Sequence, residues 1–166
     1  MTETEPRWLT TEERAAWLAI LSITTLLPGS LEAPLQHAGK VSLFEYNVLA
    51  MLSEADGGVL PMSELAARTS ASLSRLSHVA KKLQARGLVA RSVHADDARV
   101  TQATITGAGM ELVIQLAPAH VQSVRAAIFN QLDAHDTAAL ARIGHKLVRG
   151  LDGAHWTLRT DTFQDS

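Results

Sequence analysis

The sequence predicts a mainly α-helical fold around a helix-turn-helix unit with a small two- to three-stranded β wing, and three observations lead there. Two short helical patterns lie close together in residues 62–86. Two β-branched runs follow at once, 88–93 and 100–106, on either side of the polar tip His94-Ala95-Asp96-Asp97-Ala98-Arg99, which is a hairpin signal. Apolar-periodic stretches at both ends of the chain hold more bulk than a unit of about 60 residues can bury.

In chain order, Thr10-Thr11-Glu12-Glu13 sets a threonine three residues ahead of a glutamate, the spacing of a capping box. A helix over residues 15–27 follows, with Trp17, Leu18, Ile20 and Leu21 supplying bulk. Pro28-Gly29 predicts a break or kink and a second short helix over about 30–37, because proline lacks the amide donor and collides with the preceding turn. Ser42 predicts the cap of a helix that runs to Glu54 and stops before Asp56-Gly57-Gly58. Val59-Leu60 is a short strand placed to pair with the wing.

The first helix of the central unit covers residues 62–69, with Ser63 as its expected N-cap and Leu65 and Ala66 facing inward. A polar break, Thr69-Ser70-Ala71-Ser72, separates it from a helix over 73–86 that Gly87 ends. Leu73, Leu76, Ala80 and Leu83 recur at three- and four-residue spacing and form one apolar stripe. The opposite face carries Ser74, Arg75, His78, Lys81, Lys82 and Ala85, with no carboxylate. Cations and hydroxyls without neighbouring acids suit a helix that donates to phosphates and guanine edges in a major groove. The candidate contacts are therefore Ser72, Ser74, Arg75, Ser77, His78, Lys81, Lys82 and Arg86, the last three cations expected on phosphates, together with Asp97 and Arg99 at the wing tip. Arg99 is placed to enter a narrow minor groove, with Asp97 orienting it.

The net charge of −2 is unfavourable for such a partner until its distribution is read. Residues 65–100 carry seven basic and two acidic side chains, a net +5, while the rest of the chain carries eight basic and fifteen acidic, a net −7. A basic footprint on an acidic body is the pattern a polyanion binder needs.

Beyond the wing, residues 107 to about 132 predict a long helix lightly broken at Pro118, and Asp133-Ala134-His135-Asp136 caps a last helix through Arg149 or Leu151. Leu112, Val113, Leu116, Val124, Ile128, Phe129, Leu140, Ile143, Leu147 and Val148 give these helices apolar faces. The tail after Gly153 mixes Trp156, Leu158 and Phe163 with charges, and both packing on a partner and fraying stay open for it.

The run Leu88-Val89-Ala90-Arg91, the tip Asp96-Asp97-Ala98-Arg99 and the exit Thr104-Ile105-Thr106-Gly107-Ala108-Gly109 resemble the MarR-type (multiple antibiotic resistance regulator) pattern: a "GLV-R" strand, a D-x-R wing tip and an "LT-x-x-G" entry to a long helix. The segments 43–49, 62–66 and 117–125 are similar to one branch of that family, so the resemblance spans roughly residues 10–150. It implies a winged helix-turn-helix unit at 42–107, dimerisation helices at 8–38 and 108–152 and a tail at 153–166, all within a single domain 1–166. The function implied is a homodimeric, sequence-specific DNA-binding transcription regulator, a repressor on an inverted-repeat operator. Family members commonly bind aromatic or phenolic acids between the dimer helices and the winged unit, which here directs attention to Trp17, Leu21, His37, Phe44 and Tyr46. The alternative is a helical dimeric interaction or ligand-sensing protein with weak or lost DNA binding.

Other chemistries find little support. The chain has no cysteine, which removes thiol oxidation sensing and thiolate metal sites. The seven histidines never fall at i, i+3 or i+4, so no metal and no cofactor is expected. There is no G-x-S-x-G, H-E-x-x-H, P-loop or dinucleotide fingerprint, so the protein is not expected to be an enzyme. The acidic start Met1-Thr2-Glu3-Thr4-Glu5-Pro6 is unlike a secretion signal, and no apolar run is expected to approach the roughly 18 residues of a membrane span. A cytoplasmic location without a membrane partner is the expectation.

Overall fold

The computed structural model describes residues 6–159, so the acidic N-terminal residues 1–5 and Phe163 lie outside the described residues. The elements are α1 (Thr11–Gly39), α2 (Leu43–Ser53), β1 (Val59–Pro61), α3 (Met62–Arg68), α4 (Leu73–Ala85), β2 (Val89–Val93), β3 (Thr101–Ile105), α5 (Gly107–Ala127) and α6 (Ala134–Leu151). Short 3₁₀ turns stand before β1, after α5 and after α6. This is a winged helix-turn-helix with long helices at either end.

The sheet order is β1-β3-β2, antiparallel throughout. Pairing of Val59 with Thr104 and of Leu60 with Ala103 fixes β1 on the inner edge of the wing, as its sequence position suggests. A core of Val48, Leu49, Leu52, Leu65, Leu76, Ala80, Leu83, Val89 and Ala103 joins α2, α3, α4 and the sheet. A second cluster, Leu35, Val41, Tyr46 and Leu116, joins the end of α1 to α2 and α5. Gly109 lets α5 start there, because a Cβ would run into the Leu88 carbonyl.

Three capping boxes appear where their spacing places them, at Thr10–Glu13, Ser42–Glu45 and Asp133–Asp136. Four expectations are corrected. Helix α1 is continuous through Pro28-Gly29, so no separate helix begins at Ser30. Hydroxyls of Thr24, Thr25 and Ser30 bond to carbonyls one turn back, and Leu31, Leu35 and Gly39 pack its second half down, which outweighs the single amide bond Pro28 removes. Helix α5 likewise passes through Pro118, anchored by Val113 and Leu116, and ends instead at Ile128, whose φ of −126° and ψ of −69° leave the helical region. Ser63 is not the cap of α3: β1 feeds straight into the helix, so Pro61 holds the cap position without a side-chain bond. Leu73 is exposed rather than part of the stripe, being the first helical residue and beyond the edge of the core.

The long helices differ from the winged unit in what they leave open. Trp17, Leu18, Ile20, Leu21, Ile23 and Leu26 of α1 are exposed, as are Leu140, Ile143 and Leu147 of α6, and α6 buries no residue at all. By length and composition α1 and residues 107–131 are apolar enough to cross a membrane, which overturns the expectation that no run approaches that length. No unbroken apolar run is that long, but Ser22, Thr24 and Thr25 satisfy their hydroxyls within the helix and interrupt its apolar character little.

Candidate nucleic-acid interface

The geometry of α4 decides which side chains face outward. Helix α3 ends with Ser70 at a φ of 50°, and the Ala71 amide donates to the Ala66 carbonyl at 2.9 Å, a closure that turns the chain sharply. Ser72 then starts α4, its hydroxyl accepting from the Arg75 amide at 3.2 Å. Leu76, Ala80 and Leu83 fix the inner face, and Gly87, at a φ of 72°, lets the Leu88 amide reach back to Leu83 at 3.0 Å. The outer face consequently presents Ser74, Arg75, His78 and Lys81 together, all exposed. Among the described residues, Ser74, His78 and Lys81 have no side-chain partner; the Arg75 guanidinium lies 4.1 Å from the centroid of the Phe44 ring. That stacking holds Arg75 extended along the helix start.

The remaining candidates are dispersed. Ser72 is occupied as a cap and Ser77 is half-buried. Arg99 stands out on the wing with its side chain 93% exposed and its Nε 3.3 Å from Asp97, whose carboxylate also accepts the Arg99 amide at 3.0 Å. The strand below is stiffened by Arg91, which donates to Gln84 at 2.7 Å and so ties the wing to α4.

Lys82 and Arg86 turn toward the body. The Lys82 ammonium lies 2.7 Å from Glu45, a side chain only 3% exposed. Burial alone would raise the Glu45 carboxyl, but the hydrogen bond from Lys82, the Ser42 amide and the charges of Lys82 and Arg86 together hold it below the ordinary glutamate value. Arg86 donates to the Lys40 carbonyl at 2.9 Å and to the Gly39 carbonyl at 3.1 Å. Sequence reasoning missed Glu45 as a partner of α4, although Ser42 three residues ahead of it marked its capping role.

Within the single chain the five residues singled out for a small ligand are not brought together. Trp17 and Leu21 are exposed on the first half of α1, His37 is exposed near its end, and Phe44 supports Arg75. Tyr46 alone is buried, with its ring centroid 4.5 Å from that of His120 on α5, a residue the sequence did not single out. Burial raises the Tyr46 hydroxyl, with the Glu54 charge adding to it, and burial lowers the His120 imidazole. The His120 Nδ1 is buried without a hydrogen-bond partner among the described residues. Asp133, His135 and Asp136 bring ligand atoms within 4.8 Å of one another, but all three are exposed and both carboxylates already serve the capping box.

The described part of the tail, through Arg159, packs on the same chain. His155 Nε2 is 3.2 Å from the Ser70 hydroxyl and Arg159 is 3.6 Å from Glu64 of α3. A cavity of about 410 Å³ lies between this segment and the small residues Ala66, Ala67 and Ala71.

Comparison with known proteins settles the family. The MarR family sequence model matches residues 41–100. A MarR family transcriptional regulator from Streptomyces coelicolor, Sco3205, solved in complex with DNA, is 34% identical, covers 92% of this chain and 95% of its own, and superposes with a TM-score of 0.87. The chain belongs to the MarR family. AbsC, another MarR family regulator from S. coelicolor, is 36% identical over 89% of this chain and 99% of its own, with a TM-score of 0.84. BpsR of Bordetella bronchiseptica, whose DNA binding is regulated by 6-hydroxynicotinic acid, shares the fold at 22% identity, 81% and 98% coverage and a TM-score of 0.66. No curated protein sequence matches the chain. As a MarR-family protein it is a DNA-binding transcription regulator.

Proposed function

We propose that this MarR-family chain is a homodimeric repressor, acting in the cytoplasm on an inverted-repeat operator and released by a small aromatic or phenolic acid, with no catalytic activity of its own. The observation that carries the DNA reading is the outward row Ser74, Arg75, His78 and Lys81 beside an exposed wing arginine, in a chain whose relative Sco3205 was solved with DNA. The row fits base and phosphate contact in the major groove, and Arg99 fits the adjoining minor groove. Repression follows from occupancy: two recognition helices held on one face of the duplex exclude other proteins from the same stretch.

A second copy is the natural cover for the open arms. An apolar groove of about 680 Å³ runs between Ile23, Leu26 and Leu27 of α1 and Ile128, Leu132 and Leu140 at the α5–α6 junction. Apolar area of this extent is rarely left to water in a stable protein. Two-fold pairing sets the half-site centres about 10 base pairs apart.

For the effector, the supporting observation is His120, whose Nδ1 has no partner among the described residues and whose ring lies tilted against Tyr46, offering a hydrogen bond and an aromatic wall where the arms meet the winged unit. A hydroxylated aromatic acid matches both, and 6-hydroxynicotinic acid is such a compound. It releases DNA only by favouring one spacing of the recognition helices over another.

The test is a gel shift on DNA flanking the gene itself, at rising salt and with added aromatic acids. With 6–10 phosphates neutralised by the dimer, affinity drops about 10³- to 10⁵-fold between 50 and 200 mM salt. A salt-insensitive complex, or no complex, overturns the DNA reading and favours a helical interaction protein. Release by the acid that survives His120→Leu overturns the proposed effector site.

A further inference from the structure

Lys82 and Arg86 sit one turn apart at the C-terminal end of α4, and although the Lys82 side chain is 59% exposed, both cations end on groups of the same chain's body. Each ends on a group that belongs to the junction between α1 and α2. Glu45 uses its two oxygens for two partners, the Ser42 amide at 2.7 Å and the Lys82 ammonium at 2.7 Å. Arg86 spans the last carbonyls of α1, those of Gly39 and Lys40, where the helix dipole is negative. Lys40 turns the chain there at a φ of 53°. Gly39 in turn is seated on α5, since a Cβ on it would come within 2.6 Å of Leu116 Cδ1. The junction is thereby fixed to the arms on one side and to α4 on the other.

We infer that Lys82 and Arg86 are positioning residues that set the angle of the recognition helix against the arms, and that they are not phosphate contacts. Charge-assisted bonds of this kind are short and directional, and here the cations end on a buried carboxylate and on two helix-terminal carbonyls. Both anchors grip the end of α4 remote from Leu73. Thirteen residues of helix span about 20 Å, so a small rotation at the anchors moves the N-terminal contacts by several ångströms. A change in arm geometry, of the kind an effector would cause, is carried to the DNA face through this grip. The functional half of the inference rests on the DNA-binding reading above.

Two measurements test it on the full chain. The first needs no DNA: with no native cysteine, spin labels at Gln36→Cys on α1 and Leu73→Cys on α4, diluted into unlabelled protein, report one distance across the junction. The parent should give one narrow distribution, Lys82→Met and Arg86→Met a broadened or shifted one, and Lys82→Arg the parent's. The second uses a site that the parent protein selects from random DNA. Glu45→Gln keeps the capping-box bond, removes only the charge and spares the fold should Arg86→Met not fold. If Lys82 positions α4, Glu45→Gln and Lys82→Met each weaken site binding about fivefold or more, with an unchanged salt slope.

If Lys82 touches phosphate, freeing it from Glu45 strengthens binding, while Lys82→Met lowers the slope by about one. Unchanged distances, tighter binding by Glu45→Gln, or a slope lowered by Lys82→Met would each overturn the inference. If the parent selects no DNA, the DNA reading falls, and the label distances still decide whether the grip holds.

Discussion

The winged unit and the arms of this chain are built on opposite terms. From α2 to the wing, every helix buries its apolar side within one chain, and Val48, Leu49, Leu52, Leu65, Leu76, Ala80 and Leu83 are shut away from water. In the arms, α1 buries residues only in its second half and α6 buries none, while Trp17, Leu21, Ile143 and Leu147 stay open. The same hydrophobic periodicity therefore serves two purposes. In one region it closes a core; in the other it leaves an apolar surface open, the one proposed above to pair with a second copy.

The sharpest break of this comparison is a pair of substitutions, one in each region. Leu76→Ala removes a fully buried side chain from the winged unit and should cost about 2–5 kcal/mol, read as a drop in denaturant midpoint. Trp17→Ala should leave that midpoint's concentration-independent part alone and instead weaken self-association by about 2 kcal/mol, roughly 30-fold in dimer dissociation constant by sedimentation. If Trp17→Ala proved as monomeric or as dimeric as its parent, while the parent is a dimer, the arms would pair by another face.

What the sequence made legible follows the same division. In the winged unit, local signals and tertiary packing agree: Ser72 caps α4, Gly87 ends it, and the β-branched runs pair in the register that buries Ala103. In the arms, Pro28 and Pro118 argue locally for breaks that packing and hydroxyl back-bonds override. The outward face of α4 could be read from spacing, but its two edges could not. Spacing places Lys81 and Lys82 on the same solvent side, and only the position of Glu45 on a neighbouring helix separates them. His120 is invisible to spacing for the same reason, since its meaning lies in the ring of Tyr46 on α2 tilted against it.

Within the winged unit, the wing and the helix face should separate by the kind of effect they produce. Arg99→Ala should weaken operator binding by about 1–3 kcal/mol and leave thermal stability unchanged, because among the described residues the Arg99 side chain meets only Asp97. Equal affinity in the variant would assign the Asp97–Arg99 pair to the turn alone. Lys81→Ala is a smaller change: affinity should fall alike on all sequences, and the salt slope by about one, as for a single phosphate contact. A loss confined to one sequence would move Lys81 from phosphate to base.

The smallest expected effect lies where the two regions meet. His120 of α5 is held neutral by burial against Tyr46, so its imidazole titrates below the ordinary value of about 6.5. As pH falls through that ordinary value, the unfolded chain takes up the proton before the folded one does. The folded state is thus favoured fully above this range and loses ground as pH drops through it toward the lowered value. The ring is only half-buried, so water relieves part of the penalty and the effect stays modest. Denaturant midpoints at pH 7.5 and 5.5 should differ more for the parent than for His120→Gln, which carries no titrating group. Equal pH dependence in the two would place the acid sensitivity elsewhere and leave the contact between arm and winged unit indifferent to protonation.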